Sequence, residues 1–372
     1  MRPMPDFFIG LMSGTSMDGV DGVIADFSSP GVHVLQHASA PFTDALRSEL
    51  MALNASGPDE LHRGWLAGNA LMHVYADVVR QLLAQAGLPS SAVDAIGAHG
   101  QTVRHRPRQF DGTGYTIQLA QPALLAELTG IRVVADFRSR DVAAGGQGAP
   151  LAPFFHEAVF SSPGETVGVL NIGGISNITL LRADGSMQGF DCGPGNALMD
   201  GWCAEHTGQP YDDDGRWAAS GRVLPDLLAS MLAEPYFVMS PPKSTGRDLF
   251  NRPWFDAHLA RFSGAAPADV QATLTELTAR ACAQDAQRHG TGMKRLIVCG
   301  GGALNGHLMR RLQALLPAAQ VISSADAGLP PQQVEAAAFA WLARKCVRGE
   351  KLELQSTTGA RGARVLGGIY PA

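Results

Sequence analysis

The most constraining feature of this 372-residue chain is a pair of similar glycine-containing turns, each placed between short apolar segments. The first turn follows Phe7–Met12 and precedes Val20–Phe27, and the second follows Val167–Ile172. The turns start at Ser13 and Gly173, which are 160 residues apart. Apolar, β-branched runs joined by Gly, Ser, Thr or Asp are typical of β-hairpins. Because one hairpin opens each half of the chain, the pattern indicates an old duplication of one unit.

Strands and helices alternate after each hairpin, which favours an α/β fold. Apolar spacing in the first half predicts a helix at 44–53, a long helix at 59–86, a helix at 121–129, and strands at 93–98, 115–119 and 131–135. In the second half it predicts a strand at 178–181 and a third strand that ends at 191, followed by helices near 196–207, 223–232, 251–262 and 268–288. A strand at 295–299, a helix from about 304, a short strand at 321–322 and a final helix at 331–346 complete the prediction.

A glycine-rich break at 141–150 (DVAAGGQGAP) is the best hinge candidate. The chain is about two and a half times the usual length of one domain. We therefore predict an N-terminal domain at 1–145 and a C-terminal domain at 146–372, and we allow for the last helix to pack back on the first domain.

Composition excludes several classes of protein. The net charge is −5, with 29 Lys and Arg against 34 Asp and Glu, which argues against a nucleic-acid binder. Five cysteines without C-x-x-C spacing argue against a disulfide framework or structural zinc. Residues 1–6 lack the apolar core of a signal peptide, and no apolar run reaches the ~18 residues of a membrane span. We expect a soluble, cytoplasmic protein without a membrane partner.

Three glycine-rich turns that follow predicted strands offer backbone amides to an anion. They are Gly14–Gly19, Gly173–Gly174 and Gly300–Gly302. Successive amides form anion-binding nests, and Asp18 or Asp21 is placed to hold water around Mg²⁺. One such turn often only connects strands, whereas three together suit the phosphates of ATP. Standard P-loop, Rossmann and α/β-hydrolase motifs are absent from the sequence.

Asp191 is the strongest candidate for a catalytic residue. It ends an apolar strand and precedes Gly193-Pro194-Gly195, so a rigid turn holds its carboxylate where it is able to act as a general base. The alternative is that Asp191 caps the next helix, but Pro194 and Asn196 already suit that role. Cys192 has no His nearby in sequence, so we interpret it as a packing residue rather than a nucleophile.

Two further segments place polar side chains at strand ends, where α/β sheets bind ligands. The first is His99-Gly100-Gln101-Thr102, and the second runs from Asp136 to Asp141. Arg138 or Arg140 is placed to bind a carboxylate with its guanidinium. A purely structural ion pair of either arginine with Asp136 or Asp141 is an equally good interpretation.

Two other candidates have weaker signals. Glu335, near the start of the last predicted helix, is either an acidic residue of the site or a complement to the helix dipole. The segment Lys243–Asp248 is basic and rich in hydroxyl groups, which suggests a substrate-side loop.

These motifs together resemble those of the anhydro-N-acetylmuramic acid kinase family. The resemblance covers essentially the whole chain in order: IGLMSGTSMDGVD at 9–21, HGQT at 99–102, DFRSRDVAAGGQGAPL at 136–151, NIGGISNIT at 171–179, FDCGPGN at 190–196, KSTGRDLFN at 243–251 and GGGALN at 300–305. One departure is Cys192, where Thr is expected in many members.

The resemblance implies an α/β fold of two duplicated actin/ribonuclease-H-like domains around a central ATP cleft. It implies ATP and Mg²⁺ as cofactors, a homodimer, and Asp191 as the base. The implied nucleotide-binding residues are Gly14, Thr15, Ser16, Met17, Asp18, Gly19, Val20, Asp21, Gly173, Gly174, Gly300, Gly301 and Gly302, with the last three near the adenosine. The implied substrate-binding residues are Gln101, Thr102, Arg138 and Glu335.

The implied reaction opens 1,6-anhydro-N-acetylmuramic acid with water and phosphorylates O6, in bacterial recycling of cell-wall murein. Two alternatives remain at this stage. An ordinary sugar kinase of the same fold would use Asp191 to deprotonate a free hydroxyl. An actin- or Hsp70-like ATPase module would instead need a filament surface or a substrate-binding appendage.

Overall fold

The chain forms two units, seen in a computed structural model that describes residues 5–14, 17–246 and 249–372. The first unit comprises Met1–Val159 and Gln332–Ala372, and the second comprises Phe160–Pro331. The division therefore lies after residue 159 rather than after 145, and residues 332–372 return to the first unit.

Both units mix strands and helices, whose bounds follow. The strands are β1 Phe7–Met12, β2 Gly19–Asp26, β3 His33–Pro41, β4 Val93–Ala98, β5 Gln101–Pro107, β6 Gly114–Leu119, β7 Val133–Ala135, β8 Val167–Ile172, β9 Ile175–Leu181, β10 Met187–Pro194, β11 Arg295–Cys299, β12 Gln320–Ser323 and β13 Gly368–Tyr370. The helices are α1 Asp44–Ala52, α2 Glu60–Ala86, α3 Pro122–Thr129, α4 Ser139–Ala143, α5 Ala152–Phe160, α6 Ala197–Thr207, α7 Arg216–Ser220, α8 Pro225–Leu232, α9 Arg252–Leu259, α10 Pro267–His289, α11 Gly306–Leu315 and α12 Val334–Val347.

The main sheets of the two units share one topology. In the first unit the strand order is β13-β7-β4-β1-β2-β3, and in the second it is β10-β9-β8-β11-β12. In the first sheet, β1 pairs antiparallel with β2 and parallel with β4, and β2 pairs antiparallel with β3. In the second sheet, β8 pairs antiparallel with β9 and parallel with β11, and β9 pairs antiparallel with β10. This correspondence confirms the α/β class and agrees with the duplication predicted from the two hairpins.

Each unit has its own apolar core. In the first, buried side chains of β1, β2 and β4 pack with those of α2, which buries Leu71, Tyr75 and Val79. In the second, α10 packs with α6, α8 and the sheet. The wide apolar stripes of α2 and α10 follow from their helical spacing, so the sequence predicts both helices closely.

Helix α12 packs directly on the backbone of the first sheet. A Cβ atom added to Gly10 would lie 1.8 Å from the carbonyl oxygen of Ala336, and one added to Gly97 would lie 2.1 Å from that of Phe339. Strands β1 and β4 therefore carry glycine where the helix approaches most closely. This contact assigns the last helix to the first unit, the arrangement that we allowed for alongside the predicted domains.

Three strands of the structure are absent from the sequence-based prediction. Strand β3 alternates exposed and half-buried positions with few large apolar side chains, and β5 carries three charged or His side chains. Strand β13 has three exposed residues and pairs with β7. Their pairing partners, rather than their own apolar patterns, determine these strands.

Candidate active site

Side chains from the start of β5 and from α2 hold the residues on the β1 side of the turn between β1 and β2. The Gly14 carbonyl accepts hydrogen bonds from Gln101 Nε2 at 3.1 Å and from the Met17 amide at 3.2 Å. The Ser13 hydroxyl lies 3.0 Å from the hydroxyl of Tyr75 and is buried. Met17 has a positive φ of 54°. Predicted site residues Thr15 and Ser16 lie outside the described residues.

The remaining predicted residues of this turn differ in exposure. Asp18 and Asp21 face solvent, and Asp21 Oδ1 lies 3.3 Å from His37 Nε2. Val20 packs in the core of the first unit, so only its backbone is available to a ligand. Gly19 is a close-approach position, because an added Cβ would lie 2.4 Å from the Ala40 carbonyl oxygen.

The second turn is fixed to the start of α6. The Gly173 carbonyl accepts a hydrogen bond from the Asn196 amide at 2.7 Å, and the Gly174 carbonyl accepts one from the Gly195 amide at 3.0 Å. Asn196 also donates through Nδ2 to the Ile172 carbonyl at 3.1 Å. Asn196 therefore connects the turn to the segment after Asp191, an organising role that sequence analysis missed because it assigned Asn196 to helix capping.

The third glycine turn follows β11 and packs against the same region. An added Cβ on Gly300 would lie 2.4 Å from Asn171 Oδ1, and one on Gly302 would lie 2.4 Å from the Ile172 side chain. Gly301 is exposed, and a Cβ added to it would lie 3.3 Å from Asn196 Nδ2. The structure thus brings Gly173, Gly174 and Gly300–Gly302 together around Asn196.

Asp191 lies near the end of β10, partly exposed and firmly held. Its Oδ2 accepts a hydrogen bond from the Thr245 amide at 3.0 Å. Its own carbonyl accepts one from the Tyr236 hydroxyl at 2.8 Å, and its amide donates to the Lys243 carbonyl at 3.2 Å. Burial of the carboxyl raises its pKa to about 6, while the Thr245 amide and the charge of Lys243 act in the opposite direction.

The Asp191 carboxylate does not cap the helix that follows it. Helix α6 begins at Ala197 with Asn196 in the capping position. Cys192 is fully buried, and burial raises the pKa of its thiol well above the ordinary value. This agrees with the interpretation of Cys192 as a packing residue, because a nucleophile needs an accessible thiolate.

Arg138 lies beside His99 and Glu335 in the first unit. Its Nε and Nη2 donate to His99 Nε2 at 3.1 and 2.9 Å, and its Nη1 donates to the Gly148 carbonyl at 2.9 Å. Burial lowers the pKa of Arg138 to about 10, and the negative charges of Glu335 and Asp141 oppose that shift. Burial and the charge of Arg138 hold the pKa of His99 well below its ordinary value, so His99 is a neutral acceptor.

Asp141 organises the glycine-rich segment that sequence analysis identified as a hinge. It is fully buried, and its Oδ2 accepts a hydrogen bond from the Gly148 amide at 2.6 Å. Its Oδ1 accepts one from the Thr358 hydroxyl at 2.5 Å, and the Thr358 carbonyl accepts one from the Gln147 amide at 2.9 Å. The C-terminal segment around Thr358 therefore fixes this loop, a contact 217 residues apart in sequence that no local pattern signals.

Gln101 and Thr102 place polar side chains at the start of β5. Gln101 is fully buried, and within the described part of the chain its Oε1 has no hydrogen-bond partner. Thr102 Oγ1 accepts a hydrogen bond from Gln118 Nε2 at 3.2 Å. Arg140 is exposed, unlike Arg138 two positions earlier.

Among residues 5–14, 17–246 and 249–372, no three or more His, Cys, Asp or Glu side chains cluster in a way that would hold a metal ion. Within the same ranges, no helix combines the length and apolar character that crossing a bilayer requires.

Comparison with known proteins gives consistent matches over the full length. A model of the anhydro-N-acetylmuramic acid kinase family matches residues 6–372. Among curated proteins, the anhydro-N-acetylmuramic acid kinase of Variovorax paradoxus is 65% identical over 372 residues, covering 99% of each chain. That of Cupriavidus pinatubonensis is 59% identical over 374 residues, covering 100% of each chain.

A solved structure supports the fold alone. Component A of (R)-2-hydroxyglutaryl-CoA dehydratase from Acidaminococcus fermentans is 13% identical, with a TM-score of 0.51 over 91% of this chain and 98% of that chain. The family match and the curated relatives agree with the motifs quoted from the sequence. This chain belongs to the anhydro-N-acetylmuramic acid kinase family.

Proposed function

We propose that this chain opens the anhydro ring of 1,6-anhydro-N-acetylmuramic acid with water and phosphorylates O6 with ATP. The products are N-acetylmuramic acid 6-phosphate and ADP, and the reaction serves the recycling of cell-wall murein. The observation that carries the proposal is the Asp191 carboxylate, which the Thr245 amide holds at 3.0 Å and whose pKa is raised to about 6. A base is most effective when its pKa lies near the working pH.

The chemistry of the substrate determines what this base does. Because O6 is bound to C1 in the anhydro sugar, there is no 6-hydroxyl to deprotonate. Asp191 instead takes a proton from water as the water oxygen bonds to C1 and the C1–O6 bond breaks. O6 then attacks the γ-phosphorus, and the bond from that phosphorus to the β–γ bridging oxygen breaks to release ADP.

The glycine turns are the proposed phosphate and nucleotide contacts. In the first unit these are Gly14 and Met17–Asp21, together with Thr15 and Ser16. In the second unit, Gly173 and Gly174 are proposed to bind phosphate, and Gly300–Gly302 are proposed to lie near the adenosine. The close approach of neighbouring atoms to Gly300 and Gly302 leaves no room for side chains at these positions. This supports the proposal that the turn contacts the nucleotide through its backbone.

Mg²⁺ is proposed to bind through ATP and water, with Asp18 or Asp21 holding the water. Both carboxylates are exposed oxygen donors, which suits an ion that keeps several waters. When bound, Mg²⁺ neutralises phosphate charge during transfer.

Arg138, Glu335, Gln101 and Thr102 are the proposed sugar contacts. The half-buried guanidinium of Arg138 suits the lactyl carboxylate of the sugar, because planar fork geometry matches a carboxylate. A homodimer in the cytoplasm is also part of the proposal, and it rests on the family alone.

The test is release of ADP from ATP and magnesium with the anhydro sugar, for wild type and Asp191→Asn. Loss of a positioned base lowers rate by about 10²- to 10⁴-fold, so kcat is expected to fall within that range while nucleotide affinity is retained. N-acetylglucosamine and reducing N-acetylmuramic acid serve as control substrates and are expected not to turn over. Turnover of these free-hydroxyl sugars, without turnover of the anhydro sugar, would identify an ordinary sugar kinase instead.

A further inference from the structure

We propose that Lys243 is a positioning residue for Asp191. In this proposal the buried Lys243–Asp285 ion pair fixes segment 243–245 against the end of β10, which holds the Asp191 carboxylate in one place and supplies the positive charge it faces. The inference rests on the proposed role of Asp191 as the base. It also revises the expectation that Lys243 belongs to a substrate-side loop, because its side chain is fully buried.

The ion pair lies in a closed, largely aromatic environment. Lys243 Nζ lies 2.9 Å from Asp285 Oδ2 and 3.2 Å from Oδ1, and the two side chains are 0% and 2% exposed. The same nitrogen lies 4.9 Å from the ring centre of Tyr236 and 5.8 Å from that of Phe190. The ammonium group is therefore held by a carboxylate and two aromatic faces rather than by solvent.

Three contacts connect this pair to Asp191. The Lys243 carbonyl accepts a hydrogen bond from the Asp191 amide, and the Thr245 amide, two residues on, donates to the Asp191 carboxylate. The hydroxyl of Tyr236, the ring nearest the ammonium, donates to the Asp191 carbonyl. One short segment and one ring thus fix both the backbone and the carboxylate of the base.

Stability alone does not account for such a pair. Burying two charges carries a large desolvation penalty, and apolar residues of similar size often replace a buried pair without loss of stability. A second buried carboxylate on α10, Glu276, pairs instead with Arg280 and Arg311, whose side chains are 44% and 37% exposed. The fully enclosed pair is the one behind Asp191.

The other titratable groups packed around Asp191 are expected to be neutral or paired. Burial raises the pKa of the Tyr236 hydroxyl and that of the Cys192 thiol, so both are neutral at pH 5–8. Asp285 is paired with Lys243, and His289 Nε2 lies 4.0 Å from Asp285 Oδ1. Burial lowers the pKa of His289; the charge of Asp285 opposes this shift, and the charges of Arg288, Lys243 and Arg182 add to it. The charge of Lys243 lowers the pKa of Asp191 against the effect of burial.

The test replaces the pair with an apolar one, Lys243→Met/Asp285→Leu, and measures the titration of Asp191 by ¹³C NMR of labelled aspartate. The positive charge of Lys243 lowers the pKa of Asp191, so the Asp191 titration is expected to move upward when that charge is removed. The acid limb of kcat/KM is expected to move with it. At a pH above the acid limbs of both wild type and variant, the kcat of the variant is expected to remain about tenfold below that of wild type, because the carboxylate is held less precisely. The KM is expected to change little.

A second neutral pair and a matched control complete the design. Lys243→Gln/Asp285→Asn removes both charges but keeps a hydrogen-bonded pair, and it replaces the apolar variant should that fail to fold. Glu276→Leu/Arg311→Met removes the other buried carboxylate of α10 and is expected to leave the Asp191 titration unchanged. An Asp191 titration equal to that of wild type in the neutralised pairs would overturn the proposal.

The two readouts separate this inference from the proposed function. Absence of turnover of the anhydro sugar by folded wild type would contradict the proposed function. The NMR titration requires no turnover, so it decides the role of Lys243 in either case.

Discussion

At the scale of single residues, the environment of Asp191 predicts a pH dependence. A base acts only when ionised, and burial raises the pKa of this carboxyl to about 6. Activity is therefore expected to be full above that pKa and to be lost as the pH falls through it, with kcat/KM decreasing about tenfold per pH unit on the acid side. Steady-state kinetics between pH 4.5 and 8.5 check this, with stability followed in parallel. An acid limb near the ordinary Asp value of 3.8 would contradict it.

Arg138 and Arg140 give a second prediction at this scale, since sequence analysis left open which of them binds a carboxylate. Arg138 is held by His99 and Gly148, whereas Arg140 is exposed. Arg138→Lys removes the planar fork, and the KM for the sugar is expected to rise about tenfold or more, because a bidentate charged contact contributes roughly 1.5–3 kcal/mol.

Arg140→Lys is the matched control, and it is expected to leave the KM within about twofold of wild type, as exposed substitutions usually have small effects. Equal effects of the two substitutions would show that neither arginine is specifically placed. Initial-rate measurements at saturating ATP distinguish these outcomes.

At the scale of elements, the packing of α12 on β1 predicts that one methyl group added to β1 strongly lowers the stability of the protein. An added Cβ at Gly10 would lie 1.8 Å from the Ala336 carbonyl oxygen and 2.5 Å from the Ala340 amide nitrogen, both rigid helix backbone. Gly10→Ala is therefore expected to lower the free energy of unfolding by about 3 kcal/mol or more, since neither element has room to yield.

Gly201→Ala is the control for that substitution. Gly201 lies in α6 and has open space around it, so the change is expected to stabilise the protein by up to about 1 kcal/mol through helix propensity. Urea unfolding of both variants checks the pair. A Gly10→Ala variant as stable as wild type would mean that α12 does not pack on β1 as described.

At the scale of the whole molecule, the two units differ in how the chain builds them. The second is one continuous segment, 160–331, with its own sheet and core, whereas the first needs residues 332–372 to cover β1 and β4 with α12. We expect a 160–331 fragment to unfold cooperatively, because a segment of this length buries a sufficient core. A fragment of 1–159 alone is expected not to do so.

The control joins 1–159 to 332–372 through a flexible linker, which is expected to restore cooperative unfolding of the first unit. Near-ultraviolet circular dichroism and urea titration compare the three chains. Cooperative unfolding of 1–159 without α12 would contradict this account of the first unit.

Local sequence patterns predict most of the larger elements and the main candidates for the site. Apolar periodicity and turn residues, which act over a few neighbouring residues, predict the two hairpins and the long helices α2 and α10. They also predict that Asp191 lies at the end of a strand. The motifs also placed the chain in its family, and the full-length family match confirms that placement.

The partners of those candidates follow from long-range packing instead. Arg138 is joined to His99 across 39 residues, and Lys243 to Asp285 across 42, with neither contact favoured by local spacing. Helix α12 joins the first unit although it follows the second in sequence. A turn or a helix forms from the backbone preferences of neighbouring residues. The partner of a buried charge, or the sheet on which a late helix packs, depends instead on which distant segments come together when the chain folds.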